Sequence, residues 1–484
     1  MAATKRTHSG TAKEPSHHKR TADKDPPGDP STKDVETKDR PKPGTGADAY
    51  FHNLYRSEID FRQLAHRDPA FAKLLKQGHL DFGDPKAVVQ LTKTLLKVDY
   101  GLEIDLPPDR LCPPVPNRHN YILWLKGLMD STSYEDPDKR RVIGVDIGTG
   151  ASCIYPLLGT VQRDWSFIAT DIDETSLRYA EQNVACNNLS HRIRLVPRRS
   201  TDNLIPLDDL GVPSASFTMT NPPFYESREE MASLAAKKAR PPLTACTGSP
   251  TEMVTEGGEV GFASRLLEES LVLKERVGWY STMLGKFSSL EAVVAMLRDE
   301  GVENYAVTEF VQGTKTRRWA VAWSFGDMRP DGDVARGMEE PSWVKLLPLR
   351  TEHELTFREG TTKPDTLGKF IDDLLSGLHL SWEWDAEKLS GLGRAPGNVW
   401  GRAWRRRQQR IERGEEAPAQ EDHDKEPPVA IGFRISVLAE LEGCRVVLRW
   451  VQGRDAALVA SLVGFLKGRL EKFRETDVSM YVVE

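Results

Sequence analysis

Cysteine is scarce in this 484-residue chain: there are five, at positions 112, 153, 186, 246 and 444, with no Cys-x-x-Cys and no Cys/His grouping at ligand spacing. An odd, scattered set of this kind argues for reduced thiols, against a disulfide framework and against a zinc site, so no metal is expected. No apolar run approaches the about 18 residues of a membrane span, and a start that is charged from Lys5 onward has no apolar leader core. The expectation is a soluble intracellular chain with no membrane partner. Large apolar residues are almost missing from residues 1–48, where burial cannot offset the entropy of ordering, so a disordered tail is expected there. Its Lys5-Arg6 and His17-His18-Lys19-Arg20 clusters suit nuclear import or RNA contact as well as plain solvation. Net positive charge is also lacking. At −6 the chain is no globally basic nucleic-acid binder, and any such binding must come from local patches.

With 39% hydrophobic residues over this length there is room for two or three ordinary cores. Residues 49–140 read as a helical extension: Asp84-Pro85 has the form of an N-cap followed by proline at the first helical position, and a further helix follows the proline-rich 112–116 segment. Arg56 and Arg62 in this part could hold a phosphate backbone or simply face solvent.

From residue 141 to 327 strands alternate with helices in the rhythm of a doubly wound parallel sheet. The short strand at 142–145 runs into Asp146-Ile147-Gly148-Thr149-Gly150, whose glycines permit a tight turn and close ligand approach. The dinucleotide fingerprint would want a third glycine where Cys153 stands, so pyrophosphate is disfavoured. The amino-acid end and ribose of S-adenosylmethionine fit better. A second strand ends at Asp171, where such folds present a carboxylate to ribose hydroxyls.

A later strand ends in Asn221-Pro222-Pro223-Phe224, a rigid corner in which the prolines fix φ and remove two backbone donors. It suits an NH2 group: the Asn221 side-chain oxygen and the Pro222 carbonyl each accept one amine hydrogen while Phe224 stacks on the flat ring that carries the nitrogen. The long segment 226–259 that follows holds Lys237, Lys238 and Arg240 and reads as a substrate-gripping lid. Near the end of this region a hairpin is expected with a basic tip of Lys315, Arg317 and Arg318.

Residues 328–341 are a Gly/Asp/Arg linker in this reading, and 342–484 a separate, smaller α+β domain that opens on a strand at 343–349 and carries a disordered insert near 412–428. Between its halves Arg402, Arg405, Arg406 and Arg407 surround Trp404, with Trp400 close by. Phosphate contacts with base stacking would use such a set, and a solvated basic helix or an import signal would look the same.

Five stretches together resemble the methyltransferase-like protein sixteen family of RNA adenine methyltransferases and, more distantly, the bacterial large-subunit ribosomal RNA adenine methyltransferase F. They are VPNRHNYILW from Val115, DIGTGASCIYP from Asp146, NPPF from Asn221, WYSTMLGK from Trp279 and WAVAWSF from Trp319. The resemblance implies a Rossmann-like class I S-adenosylmethionine-dependent methyltransferase that modifies N6 of an adenosine in structured RNA, notably U6 small nuclear RNA and messenger RNA hairpins. Carried over residue by residue, Arg118 would hold the methionine carboxylate, Gly148 the amino-acid end of the cofactor beside Asp146 and Gly150, and Asp171 the ribose. Ser200 would lie beside the adenine, where relatives carry Thr, and Asn221 completes the set. Asp171 stands where the family more often has Glu. The C-terminal region resembles the family's kinase-associated-one-like RNA-binding part, and with it the resemblance implies a nuclear protein that could also work in the cytoplasm. The corner by itself would equally serve a DNA-adenine or protein-glutamine methyltransferase, and a non-catalytic RNA binder that uses the cofactor structurally is the third reading. Oligomeric state stays open.

Overall fold

Three aspartates start helices in the N-terminal part: Asp60 accepts the amides of Arg62 and Gln63, Asp68 that of Ala70, and Asp84 that of Lys86 with Pro85 in the first turn of helix Pro85–Leu95. Each carboxylate satisfies amide donors that the helix itself cannot. The computed structural model describes residues 42–230, 248–312, 316–338, 341–358, 363–415, 429–440 and 443–481. A small hairpin, β1 (Leu75–Lys76) with β2 (His79–Leu80), lies in the N-terminal helical part. Helix Val115–Ser131 then passes almost wholly buried beside the main sheet.

That sheet has eight strands: β3 (Val142–Ile147), β4 (Trp165–Asp171), β5 (Ile193–Pro197), β6 (Ala215–Thr220), β7 (Val277–Leu284), β8 (Tyr305–Gln312), β9 (Thr316–Trp323) and β10 (Arg336–Gly337). Their order is β10-β8-β9-β7-β6-β3-β4-β5, every pairing parallel except those of β9. β3, β4 and β6 are covered on both faces, so that polar residues such as Thr218 and Thr220 in β6 are buried along with the apolar ones that alternate with them. At Gly144 in β3 a side chain is excluded, since a Cβ would lie 2.6 Å from the Phe217 ring and 2.7 Å from that of Phe167. The three neighbouring strands end together at Ile147, Asp171 and Thr220, the switch point where sheets of this type bind ligands.

The stretch expected as a linker is built into this sheet. Helix Gly332–Ala335 and β10 follow β9, and β10 pairs with β8. The strand expected at 343–349 is instead the 3-10 helix Pro341–Leu346, whose Trp343 stacks on Phe287 with centroids 5.1 Å apart and so belongs to the catalytic-side core. Proline removes a ladder donor and the indole gains an aromatic partner only off the strand.

A second, antiparallel sheet of five strands has the order β11 (Glu352–Arg358), β15 (Gly443–Gln452), β14 (Ile431–Glu440), β13 (Ser390–Ala395), β12 (Ser381–Asp385). Helices Pro364–Ser376 and Ala456–Tyr481 share its core through Leu367, Ile371, Leu462 and Leu466, packed with Phe433 and Trp450. It meets the first sheet through a buried arginine, Arg329, and a half-buried one, Arg449. The Arg329 guanidinium lies 4.4 Å from the Trp450 ring centroid and donates to the Gly453 carbonyl, while Arg449 pairs with Asp331 at 2.5 Å and donates to the Ser131 carbonyl at 2.7 Å. Because β9 runs against its neighbours, the chain leaves it at the amino ends of the parallel strands. The second sheet docks there, at the end opposite the switch point: Arg454 donates to the Phe325 carbonyl just after β9 and pairs with Glu275 just before β7, and Met328 bridges to Gln452.

Candidate active site

The turn after β3 is shaped by its glycines. Gly148 and Gly150 hold φ of +76° and +64°, and the amides of Gly148 and Thr149 both donate to the Thr170 carbonyl at 2.9 Å. No atom lies within 4 Å of where a Gly148 Cβ would sit, so bare backbone faces open space. Where a dinucleotide fold would have its third glycine, buried Cys153 itself takes φ +50° and begins helix Ile154–Gln162. The open space is a cavity of about 730 Å³ lined by this turn, the tips of β4 and β6, and residues 251–257.

Asp171 is fixed at the cavity wall: its two oxygens accept the amides of Gly150 at 2.8 Å and Asp173 at 2.9 Å, and burial raises its pKa above the ordinary carboxylate value. Asp146 is placed differently. It lies fully buried beneath the turn, off the cavity wall, with neither carboxylate oxygen hydrogen-bonded among the described residues, and burial pushes its pKa up to about 7.

Helix Val115–Ser131 brings Arg118 to the cavity from the far side. Its guanidinium is buried, donates to the Tyr155 hydroxyl at 3.0 Å, lies 5.5 Å from that ring's centroid, and makes no ion pair among the described residues. A buried cation with only neutral partners is a site for an anion. Tyr155 escaped the sequence reading although it sits inside DIGTGASCIYP.

At the tip of β6, Asn221, Pro222 and Pro223 line the cavity, and the Asn221 Oδ1 is buried with no hydrogen-bond partner among the described residues. Phe224 is not on the cavity wall. Its ring rests against Gly285, where a Cβ would come within 2.8 Å, and the Arg318 guanidinium lies 5.5 Å from its centroid. Ser200 is exposed on the cavity rim, with its carbonyl accepting from Arg265.

Part of the expected lid is ordered. Ser249 and Glu252 form a capping box at Pro250–Met253, Glu252 also accepts the Leu111 amide at 3.1 Å, and Tyr225 exchanges backbone hydrogen bonds with Met253 and Thr255. Lys237, Lys238, Arg240 and Lys315 lie outside the described residues. Arg317 is engaged, pairing with Glu309 at 2.9 Å with its guanidinium 5.5 Å from the Trp343 ring centroid, while Arg318 is a partner of Phe224 rather than part of an outward tip. Arg56 is exposed beside His52, and Arg62 is exposed near Gly78. Arg402, Arg405 and Arg406 are exposed on helix Arg402–Glu412, and Arg407 is half-buried. The two tryptophans differ in placement. Trp404 is half-buried near His379, and Trp400 is buried with its indole donating to Ser461, because the second core takes both rings. Among the described residues no three His, Cys, Asp or Glu side chains gather as a metal site would need, and no helix is long and apolar enough to cross a membrane.

A family model described as RNA methyltransferase matches residues 47–327. The U6 small nuclear RNA (adenine-(43)-N(6))-methyltransferase of Schizosaccharomyces pombe is 44% identical over 303 residues, 62% of this chain and 76% of that one. The RNA N(6)-adenosine-methyltransferase METTL16 of Mus musculus is 38% identical over 396 residues, 76% of this chain and 70% of that one, a share too large to end before residue 327. Its likeness therefore runs on into the second-sheet region. The crystal structure of the hMettl16 catalytic domain in complex with MAT2A 3′UTR hairpin 6 is 42% identical, with a TM-score of 0.51 covering 57% of this chain and 97% of that one.

Proposed function

The chain belongs to the RNA methyltransferase family, and from that premise we propose that it methylates N6 of an adenosine in structured RNA, with U6 small nuclear RNA as the first substrate to test and the nucleus as its place of work. The observation that carries the reading is the Asn221 Oδ1, a buried acceptor with no partner at the end of a ligand-sized cavity. Leaving such an atom unpaired costs stability unless a ligand donates to it.

The residues present fit S-adenosylmethionine. Open backbone at Gly148 leaves room for its amino-acid end, Arg118 offers an unpaired cation to its carboxylate, and Asp171 keeps free lone pairs for ribose hydroxyls. When bound, the cofactor supplies an electrophilic methyl group on a sulfonium. The chain itself places the amine: Asn221 Oδ1 accepts one N6 hydrogen, the Pro222 carbonyl accepts the other, and the nitrogen lone pair is drawn out of the ring and toward the cavity. Phe224, braced by Gly285 and Arg318, limits where the base can lie. Holding two reactants in line in this way lowers a barrier by roughly 7–11 kcal/mol.

The test is transfer of tritiated methyl from the cofactor to a U6 transcript, followed by digestion to nucleosides. Label in N6-methyladenosine is expected. An inactive transcript alongside labelled DNA or protein would overturn the RNA reading.

A further inference from the structure

Helix Gly258–Leu273 begins with Gly257 and Gly258, both at positive φ, followed by Glu259. Glu259 is only 2% exposed, and the groups its carboxylate grips are backbone: the Gly285 amide at 2.6 Å and the Lys286 amide at 3.0 Å, just past the end of β7. These are the short, charge-assisted bonds that hold best in a dry site. Lys286's own ammonium is turned elsewhere, to Glu230 at 3.0 Å, in the segment that continues from the Asn-Pro-Pro-Phe corner.

The gripped point is also the point that touches Phe224. A Cβ on Gly285 would lie 2.8 Å from Phe224 Cδ1 and 3.2 Å from Glu259 Oε2, and one on Gly258 would lie 3.6 Å from the Phe224 carbonyl oxygen. Further along the same helix, Gly261, Phe262 and Arg265 line the cavity. One buried carboxylate thus ties the wall of the cofactor cavity, the tip of β7 and the brace of the aromatic corner into a single unit.

We propose that Glu259 is a positioning residue for methyl transfer: through Gly285 it sets where Phe224 stands relative to Asn221, and so where the target base lies. The inference rests on the functional reading above and adds a residue that touches neither cofactor nor base. A misplacement of about 1 Å at a reacting centre costs on the order of a hundredfold in rate. Glu259→Ala should therefore lower kcat by roughly that factor, and Glu259→Gln, which keeps one acceptor and sets an NH2 against the other amide, by about tenfold.

The experiment uses the full chain with a U6 transcript and measures kcat, the KM for RNA, the calorimetric Kd for S-adenosylmethionine and Tm for Glu259→Gln, Gly285→Ala and the double variant. The expected result is a fall in kcat with Kd near wild type, the unpaired amide in Glu259→Gln lowering Tm by only a few degrees so that the variant stays folded in the assay. The two single effects should also be less than additive together, since both act by moving Phe224. If kcat is unchanged in Glu259→Gln, or if the Kd for S-adenosylmethionine weakens in parallel with the fall in kcat, or if the effects simply add, Glu259 is only a tether and the proposal fails. A wild-type chain that does not methylate the transcript would instead remove the functional reading beneath it.

Discussion

Each cavity residue has an energetic signature that distinguishes binding from chemistry. Asn221→Ala removes an acceptor that matters only when the amine is in place, so turnover should fall by about a hundredfold or more while cofactor affinity stays near wild type. Unchanged single-turnover rates would take Asn221 out of the mechanism. Asp171→Ala should do the reverse, weakening S-adenosylmethionine binding at least about tenfold through lost charge-assisted contacts, and calorimetry showing wild-type affinity would end that assignment. Asp146 makes a stability prediction. Its pKa near 7, above the unfolded carboxylate value, means the folded chain binds the extra proton between about pH 4 and 7, so its contribution turns unfavourable as pH rises through that window. His119, buried and held down to about 4, acts in the opposite direction, its contribution being lost as pH falls. Comparison with Asp146→Asn isolates the aspartate: the variant's gain in Tm over wild type should grow from pH 4 to 7, and a constant difference would show that Asp146 is not protonated in the folded chain.

At the scale of elements, legibility followed the physics that each stretch obeys. β3 is doubly covered and opens on a short apolar run, and the Gly-rich turn, Asp171 and Asn221 could be placed at strand tips because the fold puts strand tips together. Arg118 needed the family resemblance, since one arginine in a buried helix has no local pattern. β13, with Gly391 and Gly393, went unread because both glycines sit under aromatic rings from neighbouring strands, a fit invisible along the chain. Trp400, beside the arginines in sequence, is claimed by tertiary packing, while Trp404 keeps part of its surface exposed next to them. What is testable on helix Arg402–Glu412 is charge. Replacing Arg405, Arg406 and Arg407 by Ala should flatten the salt dependence of RNA binding by about 0.7 per lost phosphate contact on single strands. Wild-type slopes in filter binding would leave the run as an import signal or a solvated face.

At the scale of the molecule, the decisive fact is that the second sheet and the cavity lie at opposite ends of the first sheet. Helix Val115–Ser131 measures the separation, with Arg118 at the cavity and the Ser131 carbonyl accepting from Arg449; the thirteen residue steps between them rise about 20 Å. An RNA that reaches from the cavity to the second sheet spans a distance of that order, about six nucleotides at roughly 3.4 Å each. Deleting residues 350–484 is the informative truncation because it keeps Trp343 on Phe287, which a cut at 340 would strip away. It should leave cofactor affinity near wild type, since every cavity residue precedes the cut. It should lower Tm, because Arg329 loses the Trp450 ring and Asp331 loses Arg449. The deletion should weaken binding of a full U6 transcript and leave binding of an adenosine-containing oligonucleotide shorter than about six nucleotides unchanged. Equal loss for both RNAs would mean that the truncation damages the cavity, and no loss for either would mean that the second sheet does not hold RNA at all.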